Sequence, residues 1–281
     1  MVECIPNFSE GRDLAVVHEI RDAITSIAGV LLLGCESDAD HNRSVITLAG
    51  PADAVCEAVV RGAVKAAERI DLTRHTGVHP RIGAADVIPF VPLEGNTMDD
   101  CIALAHRAAH ELWRRAGVPS YFYEFAGVKS LEEVRKGGYA PDTGSAMHPT
   151  AGASAIGARR ILIACNVNLA SRDLDLAKRI ARRIRASSGG FPYVKALGFD
   201  LASRGLVQVS MNLTHHEVSP LHLIYKAICD EAAHAGVEIA ETELIGFIPS
   251  AAAAQAQDFL KRCTGFDSNR ILENRIAELT S

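Results

Sequence analysis

The feature that most constrains the fold is an order of elements that occurs twice along the chain. Val2–Pro6 reads as a short strand entering the loop Asn7-Phe8-Ser9-Glu10-Gly11. Leu14, Val17, Ile20, Ile24 and Ile27 recur at helical spacing until Gly29 stops the helix. Val30–Leu33 and Arg43–Leu48 predict two strands, Pro51 opens an alanine-rich helix reaching Ile70, and Val87–Val91 closes the unit. The second half repeats this. Arg160–Val167 predicts a strand, Leu174, Ala177, Ile180 and Ile184 mark a helix ending at Gly189-Gly190, and Val194–Leu201 and Leu206–Leu213 predict two strands joined by Ser203-Arg204-Gly205. Ser219-Pro220 caps a helix through Ala235, and Val237–Ile248 supplies the last extended stretch.

Two β-α-β-β-α-β units predict an α+β protein of two ferredoxin-like subdomains, residues 1–150 and 151–281, each a mainly antiparallel sheet with helices on one face. Extra elements fall between them: a helix over 98–116, a strand over 119–124 and a short helix from Ser130, where Ser130-Leu-Glu-Glu133 makes a capping box. Gly137–Gly152 reads as a turn-rich loop or hinge, and helices over 250–263 and 268–279 finish the chain.

Composition narrows the function classes. With 281 residues, 48% hydrophobic and 22% charged, the chain is of ordinary globular type. Its formal net charge of −5 gives no global positive field for nucleic acid or anionic lipid. The start, Met-Val-Glu-Cys-Ile-Pro-Asn-Phe, has neither a basic nor an apolar leader region, and no apolar run is long enough to span a bilayer. Seven scattered cysteines without a CxxC pair suit reduced thiols. A cytoplasmic protein is expected.

The chemistry-bearing residues fall in three stretches. His75-Thr-Gly-Val-His79-Pro-Arg81-Ile-Gly-Ala-Ala-Asp86 puts two imidazoles, a guanidinium and a carboxylate in one glycine-punctuated loop. His75 and His79 have the spacing of zinc ligands on a helix, but Gly77 and Pro80 argue against a helix and no third ligand is near, so no metal is expected. Neutral imidazole suits proton transfer near pH 7; Arg81 can clamp a carboxylate and Asp86 can orient an imidazole. The second stretch, Glu36-Ser-Asp38-Ala-Asp40-His41-Asn-Arg43, is either a solvated hairpin loop or a substrate-binding edge, and residue types leave both open. The third is Gly144-Ser145-Ala146-Met147-His148-Pro149-Thr150-Ala151-Gly152, followed by Gly157-Ala-Arg159-Arg160. It is neither a P-loop nor a dinucleotide fingerprint; its glycines fit close backbone approach to a ligand and equally a hinge. His106 and His110 read as boundary residues of a helix, and His215-His216 as a turn or a cleft edge.

These residues carry a resemblance. Val2-Glu-Cys-Ile-Pro-Asn-Phe-Ser-Glu-Gly11, Asp40-His-Asn-Arg-Ser44 and His75–Pro89 resemble the formiminotransferase family. So do Gly157-Ala-Arg-Arg-Ile-Leu-Ile-Ala-Cys-Asn166 with Asn168-Leu169, Val194-Lys-Ala-Leu-Gly198 and Gln208-Val-Ser-Met-Asn-Leu213, in order, from residue 2 to about 250. The resemblance implies an N-terminal and a C-terminal formiminotransferase subdomain, each ferredoxin-like, with a ligand cleft between them. It implies transfer of a formimino group from N-formimino-L-glutamate to N-5 of tetrahydrofolate, a step of histidine breakdown. His79 matches the family's catalytic histidine, and Gly144–Gly152 matches the segment associated with folate. Tetrahydrofolate is then a co-substrate, no metal is required, and a homodimer is expected.

Such a transfer makes physical sense of the residues. The pterin nitrogen attacks the amidine carbon, and one histidine can take the proton of the attacking nitrogen and give it to the departing one. Both substrates carry carboxylates, matching Arg43, Arg81 and Arg159, while Asn7, Asp40 and His41 complete the expected substrate-binding set. Glu36, Asp38 or Asp40 can hold the amidinium or orient His79. The chain departs from the family where Arg135-Lys-Gly-Gly-Tyr139 passes almost directly to Pro141-Asp142: a helical piece is missing and Gly138 replaces a glutamate. No cyclodeaminase domain is expected. The rival readings are a relative using another one-carbon donor, such as 5-formyltetrahydrofolate, and a non-catalytic folate-binding protein.

Overall fold

The computed structural model describes residues 1–39, 41–77 and 81–281, with Ser203 described by its backbone alone. The chain divides into two compact units, Met1–Arg159 and Arg160–Ser281.

In the first unit the order is β1 (Val2–Cys4), β2 (Asn7–Phe8), α1 (Leu14–Thr25), β3 (Leu31–Asp38), β4 (Arg43–Gly50), α2 (Ala52–Arg69), β5 (Ala85–Pro92), α3 (Met98–Ala116), β6 (Ser120–Glu124), α4 (Leu131–Lys136) and β7 (Ser154–Ala158). The expected first strand is split at Ile5-Pro6, because proline has no N–H to donate to a ladder; its carbonyl still accepts from Ile46 at 3.0 Å. β1 and β2 lie between β4 and β5, antiparallel to both, and β3 flanks β4. β7 and β6 extend the sheet beyond β5 as parallel strands.

Helix boundaries follow local chemistry. Asp13 caps α1 by accepting from the N–H groups of Ala15 and Val16, and Thr97 with Asp100 forms a capping box at α3, which ends at left-handed Gly117. The capping box read at Ser130 and Glu133 starts α4. Alternation in the strands then sorts two faces. Ile88, Phe90 and Ile156 join Ile20, Val59, Ala105 and Leu112 in the main core, while their neighbours Val87 and Ala155 pack with Tyr123 and Val134 in a smaller cluster. Helices are therefore not confined to one face: α1, α2 and α3 cover one side, and α4 sits on the other because Val134 is its buried residue.

The second unit comprises β8 (Ile163–Leu169), α5 (Leu174–Ile184), β9 (Val194–Leu201), β10 (Leu206–Leu213), α6 (Leu221–His234), β11 (Ile239–Ile245), α7 (Ser250–Gln255), α8 (Gln257–Leu260) and α9 (Leu272–Thr280). Its sheet runs β11-β8-β10-β9 with every neighbour antiparallel. Ile163, Cys165, Val167 and Leu169 face Leu176, Ile180, Ile224 and Ile228 in one core. By the two-residue alternation, Asn166 and Asn168 point to the opposite face. Ser219 does not cap α6; its hydroxyl donates to the Pro192 carbonyl at 2.5 Å. The expected helix over 250–263 is broken at Ala256.

The boundary region holds a strand that the sequence reading does not contain. Ser154–Ala158 is a fully buried strand of the first sheet, so the first unit runs past residue 150 to Arg159. Its small residues, Ser-Ala-Ile-Gly-Ala, give no strand signal in the sequence because they carry little of the branched and aromatic bulk that marks strands. Among the described residues no helix is long and apolar enough to cross a membrane.

Candidate functional site

Among the described residues the most buried charge in the first unit is Asp86, whose side chain is 0% exposed at the start of β5. Three donors meet it: Arg43 Nη1 at 2.6 Å, Arg135 Nη2 at 2.9 Å and the Ile82 backbone N–H at 2.7 Å. Burial alone would raise this carboxyl, but the Arg43 and Arg135 guanidinium groups and the hydrogen bonds outweigh it and hold the pKa below the ordinary aspartate value. Arg43 is the first residue of β4, and it also donates from Nη2 and Nε to Asn7 Oδ1 at 2.9 and 3.2 Å. Asn7 is fixed in turn by donating to the Ile5 carbonyl at 2.8 Å. Asp86 does not orient an imidazole among the described residues. Its oxygens are taken by two arginines and a backbone N–H.

Arg135 is the member that sequence reasoning missed. It lies in the last turn of α4, 49 residues from Asp86, and α4 reaches the site because Val134 packs in the cluster beside Val87. Arg135 Nε is buried with no hydrogen-bond partner among the described residues.

Glu36 and Asp38 belong to the end of β3 rather than to a loop, and Asp38 accepts from the His41 backbone N–H at 2.8 Å and pairs with His41 Nδ1 at 2.9 Å. Asn42 is buried with φ of 49°, a left-handed turn that asparagine tolerates. Its amide accepts from the Gly11 N–H at 3.0 Å and donates to the Thr76 carbonyl at 3.1 Å, tying three loops together. Arg81 Nη2 donates to the His41 carbonyl at 3.2 Å, and its Nη1 contacts the His75 ring, at 2.9 Å from Nε2. Burial and the Arg81 charge lower the His75 pKa, so His75 is held in its neutral form as an acceptor.

The Gly144–Gly152 stretch is not a free hinge. His148 and Gly152 exchange two backbone hydrogen bonds of 3.0 and 3.1 Å, and His148 Nδ1 accepts from the Ala151 N–H at 3.0 Å and the Thr150 N–H at 3.3 Å. The loop is stitched to the 72–84 segment by Leu72 N to Thr150 O, Ala84 N to Ala151 O and Ala153 N to Ile82 O, all 2.8–2.9 Å. Glycine is required at this seam: a Cβ on Gly83 would lie 1.7 Å from the Ala153 carbonyl oxygen, and Gly152 has φ of +68°. Ser145, Ala146, Met147 and Pro149 remain exposed, and Tyr121 donates its hydroxyl toward Met147 Sδ at 3.8 Å.

Asn7, His41, Arg43, Arg81 and the Gly144–Gly152 loop thus share one end of the first sheet. Arg159 does not join them. Its N–H donates to the Phe90 carbonyl at 3.0 Å beyond β7, five residues and about 16 Å along the strand from the level of Asp86. Asp40, Val78, His79 and Pro80 lie outside the described residues. His106 stacks on Phe122 with ring centroids 4.0 Å apart and meets the Ala126 carbonyl at 3.2 Å, a helix-boundary role as read. Among the described residues no three of His, Cys, Asp or Glu converge as metal ligands.

The second unit carries its own polar network, on the sheet face opposite the core side chains of β8. Asn168 Nδ2 donates to Glu241 Oε1 at 2.8 Å and Glu243 Oε1 at 2.7 Å, and Asn166 Nδ2 donates to Glu243 Oε2 at 2.9 Å. Gln208 donates to Asn168 Oδ1 at 2.9 Å, Arg204 pairs with both glutamates, and Thr264 donates to Glu241 at 2.8 Å. Arg204, then Asn168 and Thr264, hold the Glu241 carboxyl below its ordinary value. Asn166 and Asn168 are legible in the sequence as the polar end of a predicted strand and, with Gln208, in the resemblance; the two glutamates fall inside the predicted extended stretch Val237–Ile248 without being singled out.

Comparison with known proteins sets this geometry in a family. Residues 1–159 match the family model "Formiminotransferase domain, N-terminal subdomain", and residues 164–277 match "Formiminotransferase domain". The chain is 40% identical to the glutamate formimidoyltransferase of Thermoplasma acidophilum over 98% of this chain and 97% of that protein. It is also 40% identical to the glutamate formimidoyltransferase of Streptococcus pyogenes serotype M1, over 98% of each. The formimidoyltransferase-cyclodeaminase of Sus scrofa is 38% identical over 92% of this chain but only 52% of its own length. Two family models in order, and relatives of this identity along nearly the whole length, show that the chain belongs to the formiminotransferase family.

Proposed function

We propose that this chain transfers the formimino group of N-formimino-L-glutamate to N-5 of tetrahydrofolate, giving 5-formimidoyltetrahydrofolate and L-glutamate. The observation that carries this reading is the 40% identity, over nearly the full length of both chains, to two proteins named glutamate formimidoyltransferase. The reaction belongs to histidine degradation and one-carbon metabolism. Tetrahydrofolate serves as co-substrate and the chemistry needs no metal ion.

His79 is proposed as general base and then general acid. It takes the proton of N-5 as that nitrogen attacks the amidine carbon, and a tetrahedral intermediate forms. It then protonates the departing glutamate nitrogen as the carbon–nitrogen bond breaks. His75 has a supporting part: neutral, it holds the Arg81 guanidinium by contact with its ring. Asn7, Asp40, His41, Arg43 and Arg81 are proposed to bind substrate, and Gly144 to Gly152 to receive the folate. The cationic cluster around Asp86 supports the assignment of Arg43, since both substrates bring carboxylates. Arg159 is proposed as a further carboxylate partner at the far end of the sheet. Each unit is read as a ferredoxin-like subdomain, the strand order β11-β8-β10-β9 supporting this for the second. A cytoplasmic homodimer acting on small molecules, without nucleic acid or membrane partners, completes the reading.

The test is a His79→Ala variant. It should lose transfer activity by about 10²–10⁴-fold while still binding folate. Unchanged turnover with formiminoglutamate would sink the assignment of His79.

A further inference from the structure

We infer that Arg135, together with Arg43, forms a seat on Asp86 for a carboxylate of substrate; this rests on the formiminotransferase reading. Two guanidinium groups share one buried carboxylate, so the trio carries a formal charge of +1. Asp86 is the one carboxylate that pairs with Arg43 or Arg135 among the described residues. Arg43 experiences both Arg135 and Arg81 as neighbouring like charges.

The donors are also in surplus. Arg43 gives Nη1 to Asp86 and Nε and Nη2 to Asn7 Oδ1, but Asp86 takes only Nη2 of Arg135, while a guanidinium offers five N–H hydrogens in a planar fork. Arg135 Nη1 meets no protein acceptor among the described residues, and its Nε is buried without a partner. The Arg135 side chain is 20% exposed and that of Arg43 13%, so the pair is open to solvent on one side. Holding a mostly buried arginine on a single hydrogen bond is costly unless a further anion completes it. A planar carboxylate fits a guanidinium fork in two-pronged fashion, and Asp86 keeps the two forks from drifting apart. Arg135 is therefore a substrate-binding residue and Asp86 a positioning residue.

Both proposed substrates carry carboxylates, and the experiment separates them. Arg135→Gln and Arg135→Lys are compared with the wild type by steady-state kinetics in each substrate and by calorimetric binding of L-glutamate. Arg135→Gln should raise the KM of one substrate about tenfold or more with kcat changed less than threefold, and Arg135→Lys should fall between. A raised KM for formiminoglutamate with weakened glutamate binding assigns the seat to the amino-acid substrate. A raised KM for tetrahydrofolate, with glutamate binding unchanged, assigns it to the folate tail. Added guanidinium should restore affinity to Arg135→Gln, which a purely structural role would not allow. Unchanged KM for both substrates in an active Arg135→Gln overturns the proposal. Arg135→Lys decides by the same criterion if Arg135→Gln does not fold. If the wild type binds glutamate but lacks transfer activity, the functional reading fails; loss of that binding in Arg135→Gln would still uphold the seat.

Discussion

The two units place polar networks at matching positions of the repeated strand order, and give them opposite charge. In the first, Asn7 sits on the first strand, Arg43 opens the third and Asp86 opens the fourth. In the second, Asn168 sits on the first strand, Arg204 precedes the third, and Glu241 and Glu243 lie on the fourth. Arg135 makes the first network two cations on one anion; the second is one cation on two anions. Burial differs as well. Asp86 is 0% exposed, whereas Glu241 and Glu243 are 21% and 27% exposed. One topology can therefore present either sign of charge at the same place, and its energetic weight is set by how far water is excluded.

The largest test of that contrast is removal of each anion. Asp86→Ala leaves two mostly buried arginines without their shared partner and should cost about 3–5 kcal/mol of stability. Glu243→Gln, in the wetter network, should cost about 1 kcal/mol. Denaturant unfolding of the two variants measures both; equal losses would break the comparison. Next in size is the seam that holds the Gly144–Gly152 loop to the first site. Gly83→Ala drives a methyl group into the Ala153 carbonyl and should destabilise by about 1–3 kcal/mol. Faster amide exchange at Ala153 and Ala84 would report the opened seam.

Acid sharpens the same comparison. Asp86 and Glu241 both have folded pKa values below their ordinary ones. Each therefore contributes stability that is fully present above the unfolded value, about 3.9 for aspartate and 4.3 for glutamate. That contribution is lost as pH falls through the lowered folded value. The stability gap between wild type and Asp86→Asn should narrow as pH drops below about 4. A gap that stays constant to pH 2 contradicts the ion-pair account. The smallest expected effect is local: Arg81→Gln removes the charge against His75, and its imidazole pKa should rise toward the ordinary value in an NMR titration.

Much of the framework was legible in the residues themselves. The helix over 98–116, the capping box at Ser130, and strands 194–201 and 206–213 are found where periodicity and capping put them. β7 was not, because a strand buried on both faces and made of Ser, Ala, Ile and Gly carries neither alternation nor bulk. The site was legible in part. Arg43, His41 and Asn7 converge through strand pairing, which a repeat of elements implies. Arg135 was invisible because its partner is 49 residues away and its helix is only six residues long. Asp86 was read as an imidazole partner since the sequence shows which groups are near in the chain, not which arginine a neighbouring strand delivers.

The central claim is the reaction, and the donor decides it. Wild-type protein is assayed spectroscopically for folate product with tetrahydrofolate and N-formimino-L-glutamate. A parallel reaction offers 5-formyltetrahydrofolate with L-glutamate as acceptor. Rapid formation of 5-formimidoyltetrahydrofolate in the first reaction, far above the second, is the predicted result. Folate binding with no turnover in either reaction, or turnover with the formyl donor alone, would contradict it.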